Sequence, residues 1–62
     1  MRKWLLNIRK GENMTQQDIA DRSGVTRQMI SAIENGEAMP SVDTAKTIAE
    51  VLGFDWTRFF EI

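Results

Sequence analysis

Two full sets of helix punctuation follow one another between Thr15 and Gly36 (TQQDIADRSGVTRQMISAIENG), and no other stretch restricts the fold as strongly. The Thr15 hydroxyl can accept a hydrogen bond from one of the orphan N–H groups at a helix start. Asp18, three residues on, completes a capping-box pattern and stands near the positive end of the helix dipole. Met14 and Ile19 fit a hydrophobic staple around the same cap. Gly24 offers the positive-φ stop. Thr26 then opens a second helix, with Val25 and Ile30 as its staple and Gly36 as its stop. Two capped helices joined by so short a turn predict a helix-turn-helix. The inward positions agree, because Ile19, Ala20, Val25, Ile30 and Ile33 fall into one apolar seam. Ala20 is small enough for the two helices to approach closely.

The flanking segments extend the all-α pattern. A first helix is predicted from about Arg2 to Arg9 or Lys10, stopped by Gly11, with Trp4, Leu5 and Ile8 on one apolar face. Glu37–Pro40 reads as a loop, since Pro40 disfavours helix just before Ser41. Ser41 then caps a helix whose core stripe is Ala45, Ile48, Ala49 and Leu52, with Gly53 as its stop. A last short helix follows, capped by Asp55, with Phe54 and Phe59 in staple relation and Trp56 and Phe60 beside them.

Arg27, Gln28, Ser31, Ala32 and Asn35 are not needed for the apolar seam of the second central helix. Arg and Gln in the first turn of an exposed helix can pair bidentately with guanine and adenine edges in a major groove. The chain resembles the Cro/cI-type (XRE) helix-turn-helix family of phage and bacterial repressors. The resemblance is carried by the opening Met14–Gln17, Ile19-Ala20, Gly24-Val25, Ile30, Ile33 and the ending Glu34-Asn35-Gly36. Further on, Pro40-Ser41 before a helix, Leu52-Gly53 and the aromatic-rich end are also similar to the family. Each element is weak alone, but they fall in order at compatible spacings over nearly the whole chain.

The resemblance implies an all-α, five-helix, lambda-repressor-like domain spanning residues 1–62. It implies a sequence-specific double-stranded DNA-binding transcriptional regulator, of repressor type, whose helix 26–35 enters the major groove of an operator. Gln28 is the foremost base-reading candidate, because its amide matches the N6/N7 edge of adenine. Arg27 either reads guanine or holds a phosphate. Ser31 and Ala32 lie one turn further along; Ala32 stands where the family often has a longer polar residue, and reads a thymine methyl or nothing. Met29 either completes the core or faces the groove.

For phosphate positioning the family points to Gln16, with Gln17 beside it, although glutamine is also a good helix former on a wet surface. The Thr26 hydroxyl can meet a phosphate besides capping, and Asn35 either meets one or closes the helix end. The family also implies an ion pair between Arg9 and Glu34, fixing the first helix to the end of the recognition helix. Otherwise Arg9 is a helix-end cation favoured by the dipole. In similar repressors the end of this unit forms the dimer contact, which points to Trp56 and Phe60. An interface this small predicts a homodimer on a two-fold symmetric operator, with half-sites about one turn (~34 Å) apart.

Composition narrows the alternatives. A chain of 62 residues has room for one core, burying roughly 60% of its unfolded surface. With no cysteine and no histidine, disulfides, ordinary thiolate or imidazole metal sites and Ser-His or Cys-His nucleophiles are excluded. The four glycines are scattered helix stops rather than a phosphate loop. Asp18 and Asp21 share a helix at a spacing that serves capping rather than acid–base work. No enzymatic activity, cofactor, metal or small-molecule ligand is expected. No apolar run is long enough for a membrane span and no signal peptide is visible, so a cytoplasmic protein is expected.

Net charge is −1, unusual for a protein that sits on phosphate. From Met1 to Ile33 six cations face three acids, a balance of +3; from Glu34 onward two cations face six acids, a balance of −4. A basic half and an acidic half are compatible with one DNA-facing surface, but from charge alone an ordinary solvated mixed-charge surface is the preferred reading. The acidic pI of about 5.2 and the aromatic end also fit an alternative, a protein-interaction module of the same fold that has lost DNA binding.

Overall fold

Side-chain caps set most of the helix starts. The Thr15 hydroxyl accepts from the Asp18 N–H at 3.0 Å, and the Asp18 carboxylate accepts from the Thr15 N–H at 2.9 Å, a complete capping box. The Thr26, Ser41 and Asp55 side chains accept from the N–H groups of Met29 (3.2 Å), Thr44 (3.2 Å) and Thr57 (3.0 Å). In the computed structural model, which describes residues 1–61, these caps open four of the five elements. The order is α1 (Lys3–Gly11), α2 (Gln16–Ser23), α3 (Arg27–Asn35), α4 (Val42–Leu52) and a 3₁₀ helix (Trp56–Phe60). No strand occurs among the described residues.

The ends of α2 and α3 turn through Gly24 and Gly36 at φ +73° and +81°, where an L side chain would be strained. The end of α1 differs from expectation. Gly11 is its last helical residue, and the left-handed turn falls on Asn13, φ +57°. Asparagine tolerates that region, and the turn is closed by the Met14 N–H bonding back to the Arg9 carbonyl at 3.2 Å.

The last element also differs from the α-helix expected there. It is a five-residue 3₁₀ helix, a stretch too short to offset the cost of α-helix nucleation. Tertiary contact holds it instead. Trp4 of α1 meets Phe54 and Phe59 edge-on, with ring centroids 5.3 and 5.2 Å apart, and Phe54 and Phe59 are 5.5 Å from each other. The architecture is therefore four α-helices plus a 3₁₀ helix.

Every element contributes to one core: Leu5 from α1, Ile19 and Ala20 from α2, Ile30 and Ile33 from α3, Ile48 and Leu52 from α4, and Phe59. Arg2 adds a clasp that local pattern does not announce. Its N–H donates to the Glu34 carbonyl at 2.7 Å, and its guanidinium donates to the carbonyls of Ile33 and Ala38. The Arg2 N–H thus meets a carbonyl of the last turn of α3, and its cation stands at the negative end of that helix while reaching the following loop. Among the described residues no helix is long and apolar enough to cross a membrane.

Candidate nucleic-acid interface

The inner face of α3 determines what its outer face presents. Ile30, Ile33 and Glu34 are buried, while Arg27, Gln28, Met29 and Asn35 are exposed and Ser31 and Ala32 half-buried. At roughly 100° per residue, Gln28, Ala32 and Asn35 lie along the middle of the outer face. Arg27 and Ser31 occupy the edge next to Glu34, and Met29 the edge next to Ile33. Arg27 and Gln28 make no side-chain hydrogen bond among the described residues, so both project into solvent from the first turn. Met29, for which sequence allowed core or groove, stands outside the core cluster at 43% exposure.

Glu34 holds this helix in place. It is the one charged residue buried among those described, at 2% exposure. Its carboxylate accepts from Arg9 Nε at 2.6 Å, from Arg9 Nη2 at 3.1 Å and from Gln16 Nε2 at 3.2 Å. Arg9 Nη1 donates in turn to the Met14 carbonyl at 2.9 Å. The bidentate fork suits the planar carboxylate, and no buried side-chain polar atom among the described residues lacks a partner. One carboxylate therefore ties α1, the α1–α2 loop, the start of α2 and the last turn of α3 together.

This network places Gln16 beside the turn that carries Asn35. One Nε2 proton of Gln16 goes to Glu34, leaving a second proton and the amide oxygen for another partner. Gln17 lies along α2, donating to Asp21 at 2.8 Å. Thr26 uses an oxygen lone pair as the cap and keeps its own O–H for donation. The end of α3 is closed by backbone bonds, Gly36 N–H to Ile33 carbonyl (3.2 Å) and Glu37 N–H to Ala32 carbonyl (2.9 Å), so the exposed Asn35 side chain is not needed there. At the start of α2 the Asp18 carboxyl is held below its ordinary value of 3.8, chiefly by its hydrogen bonds from Thr15 and further by Arg22.

Trp56 and Phe60 are separated from this group in the chain. Trp56 is half-buried against the core, with Lys46 Nζ 5.1 Å from its ring centre. Phe60 meets it edge-on at 6.0 Å and is 41% exposed. Among the described residues, no group of three or more metal-ligating side chains gathers, and no ligand-sized pocket opens. The Arg2 clasp is the element at the end of α3 that sequence reasoning missed. It joins residues more than thirty positions apart, and no local spacing signals it.

Comparison with known proteins identifies the family. The helix-turn-helix family model matches residues 5–59. A Bacillus subtilis (strain 168) protein, the uncharacterized HTH-type transcriptional regulator YqaF, is 48% identical over 98% of this chain and 80% of its own length. An uncharacterized HTH-type transcriptional regulator of Methanothermobacter thermautotrophicus is 45% identical over 86% of this chain and 77% of its own. The HTH-type transcriptional regulator PuuR of Escherichia coli K12 is 33% identical over 94% of this chain, which spans 31% of PuuR. No solved structure gives a significant match. The chain belongs to the XRE-type helix-turn-helix family.

Proposed function

We propose that this chain is a sequence-specific double-stranded DNA-binding transcriptional regulator, acting as a repressor, that inserts α3 into the major groove. The observation that carries this reading is the division of α3. Its inner face is locked by Ile30, Ile33 and the Glu34 network, while its first turn presents Arg27 and Gln28 unpaired to solvent. Gln28 and Arg27 take the base edges, with Ser31 and Ala32 further along the same surface. Gln16, Gln17, Thr26 and Asn35 position the domain on phosphates. The names of the relatives, HTH-type transcriptional regulators in two bacteria and an archaeon, support the same reading.

One domain offers a small contact area, so the working species is a homodimer on a two-fold operator with half-sites about 34 Å apart. The exposed Phe60 with Trp56 provides its contact. The test is a selection from randomised duplex DNA at moderate salt, run beside an Arg27→Ala/Gln28→Ala double variant. A symmetric motif recovered by the unmodified protein alone supports both the function and the residue assignment. The same motif recovered by both proteins keeps the regulator and removes Arg27 and Gln28 from the readout. Recovery by neither, with folded dimeric protein, favours a protein-interaction module of the same fold.

A further inference from the structure

The outer face of α3 carries one large apolar side chain that its fold does not use. Met29 is 43% exposed and lies outside the core cluster. Its main chain is fixed, since its N–H donates to the Thr26 hydroxyl at 3.2 Å in the cap of α3. Ala32 follows one turn on, in the middle of the outer face, so Met29 and Ala32 are apolar neighbours flanking Gln28. The opposite edge carries the polar pair Arg27 and Ser31. The first turn of this surface thus carries polar side chains on one edge and the apolar Met29 on the other.

A major groove offers one apolar group on a base edge, the C5-methyl of thymine. We infer that Met29 is a specificity-determining residue that reads a thymine methyl next to the base contacted by Gln28. The methionine side chain is long, unbranched and polarizable, so its terminal methyl can settle against a small apolar protrusion without a preformed pocket. The occupant follows from continuity. Met29 adjoins Gln28 and Ala32 on the surface proposed for DNA, whereas the other exposed large apolar side chains Met1, Met39, Val42 and Phe60 belong to the N-terminus, the 37–41 loop, α4 and the 3₁₀ helix.

This inference rests on the major-groove reading, and its test separates the two. The probe is the duplex recovered by selection with the unmodified protein. Each thymine in it is replaced singly by deoxyuridine, which removes the C5-methyl and leaves every hydrogen-bonding group. One position per half-site should lose roughly three- to fivefold in affinity, the effect of one methyl group buried from water. With Met29→Ala and Met29→Gln, the same replacement should change affinity by less than about 1.5-fold, closing a double-mutant cycle between side chain and methyl. Both variants keep the cap and the core, and far-UV circular dichroism and thermal midpoint check this. Equal uridine penalties in all three proteins, or no uridine-sensitive position in a motif that is recovered, overturn the role of Met29 and leave the groove reading standing. Recovery of no motif overturns both.

Discussion

Replacing Arg9 by methionine strands the carboxylate of Glu34. In the native chain that carboxylate, 2% exposed, is held by two Arg9 nitrogens at 2.6 and 3.1 Å and by Gln16 at 3.2 Å. Removing the cation leaves a buried negative charge with one neutral donor. Breaking a buried ion pair from one side costs about 3–5 kcal/mol. The Arg9 side chain is 12% exposed and Gln16 remains, so the lower end applies, about 3 kcal/mol. A domain of this length has a total stability of about 3–9 kcal/mol. At roughly 4–8 °C per kcal/mol, the thermal midpoint should drop by about 12–24 °C. The companion variant, Arg9→Met with Glu34→Met, removes both charges and fills the space with apolar atoms. Such replacements are near neutral, so it should regain at least half of the loss.

Urea unfolding followed by far-UV circular dichroism at neutral pH measures both variants. The signature is strong non-additivity, with Glu34→Met destabilising in the native background and restoring in the Arg9→Met background. A loss below about 1 kcal/mol for Arg9→Met would show that the carboxylate is better solvated than its burial indicates. A double variant as unstable as the sum of its parts would refute the stranded-charge reasoning itself.

Thr15→Ala and Thr26→Ala should each lower stability by about 1 kcal/mol in the same assay, because each exposes an orphan N–H at a helix start. Gly24→Ala and Gly36→Ala should each cost about 1–2 kcal/mol for the left-handed backbone. The two should cost about the same, since a Cβ at Gly24 meets open space and one at Gly36 makes only ordinary contact with the Met1 main chain at 3.4 Å. The Asp18 and Asp55 carboxyls are both held below their ordinary 3.8, by hydrogen bonds from Thr15 and from Thr57. Their contribution is therefore complete above pH 3.8 and is lost as pH falls through the lowered values. Asp18→Asn and Asp55→Asn should flatten the acid limb of the stability–pH curve there, and an unchanged limb would refute it. Phe60→Ser should weaken self-association in sedimentation while leaving the monomer's thermal midpoint within about 3 °C, the effect of an ordinary surface change.

What was legible in the sequence was mostly what is local. Thr15, Thr26, Ser41 and Asp55 could be read as caps because a cap is decided within two or three residues. The outward set on α3 followed from helical period, since Ile30 and Ile33 fix the inward direction. The end of α1 was not legible. Gly11 is the better helix stop by type, yet the turn is placed at Asn13 by the Met14 N–H and by the Arg9 guanidinium on the Met14 carbonyl. The 3₁₀ geometry of Trp56–Phe60 was hidden likewise, because packing of Phe59 against Trp4 decides it. Met29 stayed open because methionine suits core and surface alike. Arg9 and Glu34 stand 25 residues apart; a spacing that long carries no signal, and only the family resemblance suggested their pairing.

The distribution of cations then bears on how such a domain can hold DNA. Six positive residues precede Glu34, but two of them are turned inward. Arg2 clasps the carbonyls of Ile33 and Ala38, and Arg9 is bound to Glu34. In the other half, Arg58 lies over the Trp4 ring at 4.7 Å and Lys46 over Trp56. Arg2 and Arg9, which tie down the end of α3, are thus committed to partners within the domain and are not free to contact a phosphate directly. Lys3, Lys10, Arg22 and Arg27 are what remains, set against the acids of an overall −1 chain. In the proposed complex, phosphate contact then falls largely to neutral donors such as Gln16, Asn35 and the open N–H groups at the start of α2. Fewer neutralised phosphates release fewer counterions, which weakens binding to random sequence. Base-edge complementarity therefore supplies a larger share of the affinity than in a strongly basic domain. A single half-site contact of this kind is weak, and two copies joined near Phe60 would combine two such contacts on one duplex.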